Sequence, residues 1–155
     1  MEAGYKNTKR IWVHSLFLLY ILILLRITIF RSDFSVDALF QNGEINLKIF
    51  QEYIPMITEG KWFLFLYLFI GNLICFVPFG AYIMWTGRIK RVCHAVMLSL
   101  LFSLIIECLQ YAFGTGISEI DDLILNSMGG WLGACIFYRI TPKEIKNNDD
   151  NKDIG

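Results

Sequence analysis

Between Ser103 and Gly133 the chain reads SLIIECLQYAFGTGISEIDDLILNSMGGWLG. The residues there that could do chemistry are two carboxylates, Glu107 and Asp122, with the hydroxyl of Ser103 and the amides of Gln110 and Asn126. All lie at or inside the facing ends of two segments apolar enough to cross a bilayer. An Asp at the centre of a spanning helix costs roughly 2.5–3.5 kcal/mol on insertion scales, so such a residue is a functional-site hypothesis by default. Two carboxyls in unlike surroundings can divide acid and base work, with Arg26 as a counter-ion for one of them. Glu107 and Asp122 are therefore the candidate catalytic pair, acting on a lipid or a lipid-linked substrate. No Ser/His/Asp or Cys/His arrangement accompanies them. Cys75, Cys93, Cys108 and Cys135 fall in apolar segments without metal-ligand spacing and read as small buried apolar residues. Neither a metal nor a cofactor is expected.

Spacing gathers the polar residues onto faces. Ser99, Ser103, Glu107 and Gln110 follow one stripe of a helix, and Asp122, Asn126, Gly130 and Gly133 follow one stripe of the next. Helical phase with Asn126 favours Asp122 over Asp121 as the inward-pointing acid. Glu107 lies about 9 Å below the outer end of its span at 1.5 Å per residue. Arg26 stands about one turn from the far end of its own span, where it snorkels to the interface or meets Glu107 or Asp122. Asn72, near mid-depth of another span, needs a hydrogen-bonding partner from a neighbouring helix. Together Arg26, Asn72, Ser103, Glu107, Gln110, Asp122 and Asn126 form the candidate polar cluster. The plainer alternative is interhelical glue, yet hydrogen bonds between membrane helices average only about 0.6 kcal/mol, which makes charges an inefficient adhesive.

The elements that must carry these residues follow from composition and hydropathy. Of 155 residues, 55% are hydrophobic and 18% charged, a balance that selects a membrane protein. A polar leader, residues 1–10, precedes an apolar run Ile11 to Phe30. That run is too long for a signal-peptide core and lacks a small-residue cleavage site, so it reads as an uncleaved first span. Residues 31–61 are too polar to span; Ile45, Ile49, Phe50, Tyr53, Ile54 and Ile57 recur at near-helical spacing, which predicts a short amphipathic surface helix ended by Pro55 or Glu59-Gly60. The second span, Trp62 to Trp85, carries Trp at both ends, Pro78 as a predicted kink, and Gly71 and Gly80 as points of close approach. A basic loop with Arg88, Lys90 and Arg91 leads to the third span, about Val92 to Phe113, with His94 at its interfacial start. The fourth runs from about Ile120 to Ile140, where Gly129-x-x-x-Gly133 with Gly130 is the small-residue face of a close helix crossing. That face also offers a route to a homo-oligomer. The polar tail 141–155 has the composition of a disordered segment. The fold class is thus an all-α membrane protein, a bundle of four transmembrane helices over residues 11–140.

Lys and Arg set the orientation. Ten flank the termini and the loop after the second span, against three in the loop after the first, which places both termini in the cytoplasm. The basic residues cluster at span ends rather than among aromatics, so nucleic acid is not an expected partner; membrane lipids are.

The motifs resemble those of the VanZ-like family, small bacterial membrane proteins that include one associated with teicoplanin resistance. The Asn-x-x-x-Phe-x-Pro-x-Gly run of that family is similar to Asn72, Phe76, Pro78 and Gly80; its Glu-x-x-Gln pair to Glu107 and Gln110; its Asp-x-x-x-Asn-x-x-Gly-Gly run to Asp122, Asn126, Gly129 and Gly130. The resemblance covers all four spans. It departs where Ile49 stands in the place of a proline, and where Gly116 and Ser118-Glu119 replace an Arg and an aromatic-Asp step. The resemblance implies a multi-pass protein of the bacterial cytoplasmic membrane that acts on envelope components such as lipid-linked cell-wall precursors and lowers glycopeptide susceptibility. Enzyme and scaffold remain open beside it, and a carrier is disfavoured by the lack of an internal repeat.

Overall fold

Four stretches of the chain wind into helices long and apolar enough to cross a bilayer: Asn7–Thr28, Trp62–Trp85, Val92–Phe113 and Ile120–Ile140. With no water in hydrocarbon to satisfy the backbone, a helix meets every internal N–H and C=O within its own segment. The computed structural model describes residues 2–30, 34–41, 43–87 and 91–141. In order these form α1 (Glu2–Thr28), a 3-10 turn (Val36–Ala38), β1 (Glu44–Asn46), α2 (Tyr53–Thr58), α3 (Trp62–Trp85), α4 (Val92–Phe113), β2 (Ile117–Glu119) and α5 (Ile120–Ile140). Arg88 and Lys90 of the basic loop and the tail from residue 142 lie outside the described residues.

Three local expectations change. The polar leader does not stand apart from the first span, because α1 runs unbroken from Glu2 to Thr28. The amphipathic helix shrinks to Tyr53–Thr58, with Ile45 instead on β1, which pairs with β2 in a two-stranded sheet. Pro55 does not end α2 but sits in its first turn, where the missing N–H costs nothing. The stop comes at Gly60, whose φ of 73° lets Lys61 N–H reach back to the Met56 carbonyl at 2.8 Å. Gly114, at φ 60°, ends α4 in the same way through Thr115 N–H and the Gln110 carbonyl at 3.1 Å.

The chain divides into two compact units, Met1–Ile45 with Ile106–Ser118, and Asn46–Ile105 with Glu119–Gly155. In the first, Leu24 of α1, Ile29 just past its end, and Ile106 and Ala112 of α4 are buried. Phe40, at φ 58°, donates its N–H to the Ala112 carbonyl at 2.7 Å, and Phe34 bridges Phe30 and Phe113 with ring centroids 4.9 and 4.8 Å away. Most of α1 exposes Leu and Ile, the surface a bilayer solvates as readily as a protein core would.

The second unit is built on α3 and α5, which meet at backbone distance. A Cβ on Gly80 would run into the Gly130 carbonyl, one on Gly133 into the Val77 carbonyl, and one on Gly129 into the Leu73 carbonyl. The Gly129/Gly133 face considered for a homo-oligomer is therefore filled by α3 of the same chain. Gly71, by contrast, has open space around it, so it provides no close approach. Pro78 is exposed, and α3 continues through it from Trp62 to Trp85. The start of α4 joins this seam: Ala95 and Ser99 are fully buried, and Ser99 lies where a side chain on Gly130 would have to go.

Candidate functional site

The N-terminal end of α5 opens on Glu119, Ile120, Asp121 and Asp122. Acidic side chains are favoured in a first helical turn, where the unpaired N–H groups and the aligned peptide dipoles present positive potential. Here the three acids each reach a different partner. Asp121, only 1% exposed, accepts the backbone N–H of Phe50 on both carboxylate oxygens, at 3.0 and 2.8 Å. Asp122 accepts the side-chain amide of Asn72 from α3. Glu119, in extended conformation just ahead of the helix, hydrogen-bonds the carboxyl of Glu52 and the amide of Asn46.

Tyr53, the first residue of α2, is 4% exposed and completes this cluster. Its ring stands edge-on to Phe65 and Phe69 of α3, with centroids 5.8 and 5.9 Å away, and to Phe50 at 6.0 Å. Its hydroxyl hydrogen-bonds Asn72, so one amide links Tyr53 to Asp122. Burial, and then the neighbouring charges of Asp122, Glu119 and Asp121, hold that hydroxyl well above the ordinary tyrosine range. It stays protonated. Burial, followed by the proximity of Glu52 and Asp122, pushes the Glu119 carboxyl up to about 7. A carboxyl that titrates near neutrality can take or give a proton under working conditions.

The polar residues expected to form one cluster are distributed over separate contacts. In the second unit, Asn72 meets Asp122, and the Asn126 amide donates to Ser103 Oγ at 2.8 Å. In the first unit, Glu107 and Gln110 are both buried, and the Gln110 amide, turned with its nitrogen toward the acid, donates to both Glu107 carboxylate oxygens at 3.2 Å. Ser118 Oγ donates to the Glu107 backbone carbonyl at 2.7 Å. Arg26 is exposed and donates to the Phe30 carbonyl just past the end of its own helix, the placement of a snorkelling side chain rather than of a buried counter-ion. Gly80, Gly129, Gly130 and Gly133 lie in the α3/α5 seam, and Pro78 lies outside it.

Asp121 corrects the helical-phase argument: it is the more deeply buried of the two aspartates, while Asp122 is half-buried. Phase identifies which residues share a face of one helix; it cannot show that a loop 71 residues earlier in the chain presents an N–H to the other face. Sequence reasoning does not single out Glu52 or Glu119, sets Asp121 below Asp122, and places Tyr53 only on a surface helix. The signal available was the run of acids at a helix start, facing an aromatic and acidic stretch with no basic residue of its own between Phe50 and Met56. Among the described residues, no group of three or more His, Cys, Asp and Glu is arranged to hold a metal ion.

These residues lie within the stretch of the chain that matches a known family. Residues 17–141 match the family model described as VanZ/LLP1. The chain is 26% identical over 132 residues to Protein VanZ of Enterococcus faecium, an alignment that covers 83% of this chain and 74% of that protein. No solved structure matches.

Proposed function

The chain belongs to the VanZ/LLP1 family, and from that premise we propose that it works at the outer face of the bacterial cytoplasmic membrane, where it lowers susceptibility to teicoplanin-type glycopeptides. The site we assign is the cluster of Tyr53, Asn72, Glu119 and Asp122, opening toward the outer leaflet. The observation that carries this reading is the Asp122–Asn72–Tyr53 chain of hydrogen bonds, which joins three elements of one unit through side chains alone. Interhelical hydrogen bonds add only about 0.6 kcal/mol each in membranes. A carboxylate is a costly way to obtain that much, so binding is the better account of Asp122. The excess of Lys and Arg at the termini and after the second span supports the outward orientation of this end. Its neighbours there are membrane lipids and lipid-linked cell-wall precursors. Teicoplanin susceptibility of cells expressing Asp122→Asn, scored beside membrane abundance, tests the reading; full protection by the variant at normal abundance defeats it.

An enzymatic reading is favoured by the contact of the half-buried Glu119 carboxyl with that of Glu52, which together with burial pushes Glu119 up to about 7. In that reading Glu119, rather than the Glu107 that the sequence alone suggests, shares acid/base work with Asp122 on a lipid or lipid-linked precursor. Envelope lipids profiled by mass spectrometry with wild type and Glu119→Gln decide it, and identical profiles remove the enzyme. A scaffold role suits the contacts that hold helices without charge, namely Asn126 with Ser103 and the glycine seam.

A further inference from the structure

The geometry points to Asp121 as a positioning residue of this site: it clamps the segment Asn46–Tyr53 onto the start of α5, and so sets the Tyr53 hydroxyl against Asn72 and Asp122. The inference rests on the proposed role of Asp122 and extends it to a residue that does not belong to the hydrogen-bonded chain itself.

Three observations converge on the clamp. Phe50 adopts a φ of 56°, a left-handed conformation uncommon for a bulky side chain, and that turn aims its N–H inward. Both Asp121 oxygens accept this one N–H, at 3.0 and 2.8 Å, although Asp121 is 1% exposed and has been taken out of water to do so. Three residues later Tyr53 is buried between Phe65 and Phe69, while the residues on either side of the clamp, Ile49, Gln51 and Ile54, are exposed. Beside the contacts of Asn46 and Glu52 with Glu119, Phe50 N–H is the backbone group of the segment that the buried Asp121 carboxylate holds. A hydrogen bond to a charged acceptor is about twice as strong as a neutral one, and this one fixes the turn that determines where Tyr53 lies. Asp121 itself does not hydrogen-bond Asn72 or Tyr53, which separates its role from that of Asp122.

The test uses the full chain in lipid nanodiscs and in cells, with Asp121→Ala, Asp121→Asn and Asp122→Asn. Amide exchange by mass spectrometry on the peptide containing Phe50 reads the clamp, and teicoplanin susceptibility at matched membrane abundance reads the site. In Asp121→Ala, exchange at Phe50 accelerates by about tenfold or more, exchange in α3 and α5 is unchanged, and protection from teicoplanin falls to that of cells lacking the protein. Asp121→Asn keeps one acceptor oxygen and gives intermediate values on both readouts; it decides the matter if the alanine variant fails to accumulate. Accelerated exchange with full protection overturns the proposal, because the segment is then free without loss of the site. Unchanged exchange overturns it too, because Asp121 then holds nothing. If Asp122→Asn alone leaves protection intact, the assignment of the site fails instead, and the exchange data still report on the clamp.

Discussion

Gly80→Ala places one methyl group where α3 and α5 touch. The Cβ it adds would meet the carbonyl oxygen, carbonyl carbon and Cα of Gly130, all backbone atoms, so no flexible side chain can swing aside. Forcing an extra carbon into a close-packed site costs typically about 1–3 kcal/mol. Against this, replacing Gly by Ala inside a helix gains about 0.8–1.0 kcal/mol of intrinsic propensity. The expected net effect is a loss of up to about 2 kcal/mol, with no hydrophobic drive between helices in lipid to restore the contact. Gly71→Ala supplies the internal control. It lies on the same helix and makes the same chemical change, but its Cβ meets nothing within 4 Å, so the propensity gain stands unopposed. Thermal stability of both variants in mild detergent, followed by fluorescence-detected size exclusion, should place Gly80→Ala below wild type and Gly71→Ala at or above it. If the two alanines melt together, the seam does not pack as described, and the argument that Gly80 and Gly130 position the site-bearing helices falls.

The remaining predictions concern charge and hydrogen bonding. Glu119 has a folded-state value of about 7 against 4.5 for an ordinary glutamate, so the folded chain holds that proton more tightly than the unfolded one; its contribution is complete below about pH 4.5 and is lost as pH rises through about 7. Exchange in the segment around Phe50 should therefore quicken from pH 5 to pH 8 beyond the intrinsic chemical rate, and Glu119→Gln should flatten the excess; equal excess in both proteins counts against the Glu119–Glu52 contact. Ser103→Ala removes a partner of Asn126 and should cost only about 0.6 kcal/mol, with teicoplanin susceptibility unchanged in cells that express it normally. Arg26→Leu removes an exposed side chain that donates to the Phe30 carbonyl just past the end of its own helix, so abundance and protection should both survive. Loss of protection in that variant would restore Arg26 as a counter-ion.

Much of the fold was legible because bilayer physics writes it in long runs. Four long, predominantly apolar segments correspond to four helices, with the ends of α3, α4 and α5 where Trp, Gly and polar turns put them. Legibility declined where contacts join residues distant in the chain. Ile45, Ile49 and Phe50 fit a helical period, yet Ile45 pairs in a strand and Phe50 turns left-handed because β2 and Asp121 take up their backbone groups. Asn72 and Asp122 were visible as polar residues in apolar spans, but nothing in their spacing within separate helices identified each as the other's partner. Glu52 and Tyr53 lay in a stretch whose amphipathic pattern read as a surface float. Their part in the cluster follows from the hydrogen bonds of Asn72 and Glu119, which only the folded chain displays.

The claim at the centre of this account is that the acid at the start of α5 works rather than merely holds helices together. Its most direct test is one paired measurement: Asp122→Asn and Glu107→Gln, scored for membrane abundance and for teicoplanin susceptibility in the same cells. The account predicts that Asp122→Asn is present in the membrane and gives no protection. Full protection by Asp122→Asn, or its disappearance from the membrane, contradicts the account and makes this acid an element of helix packing.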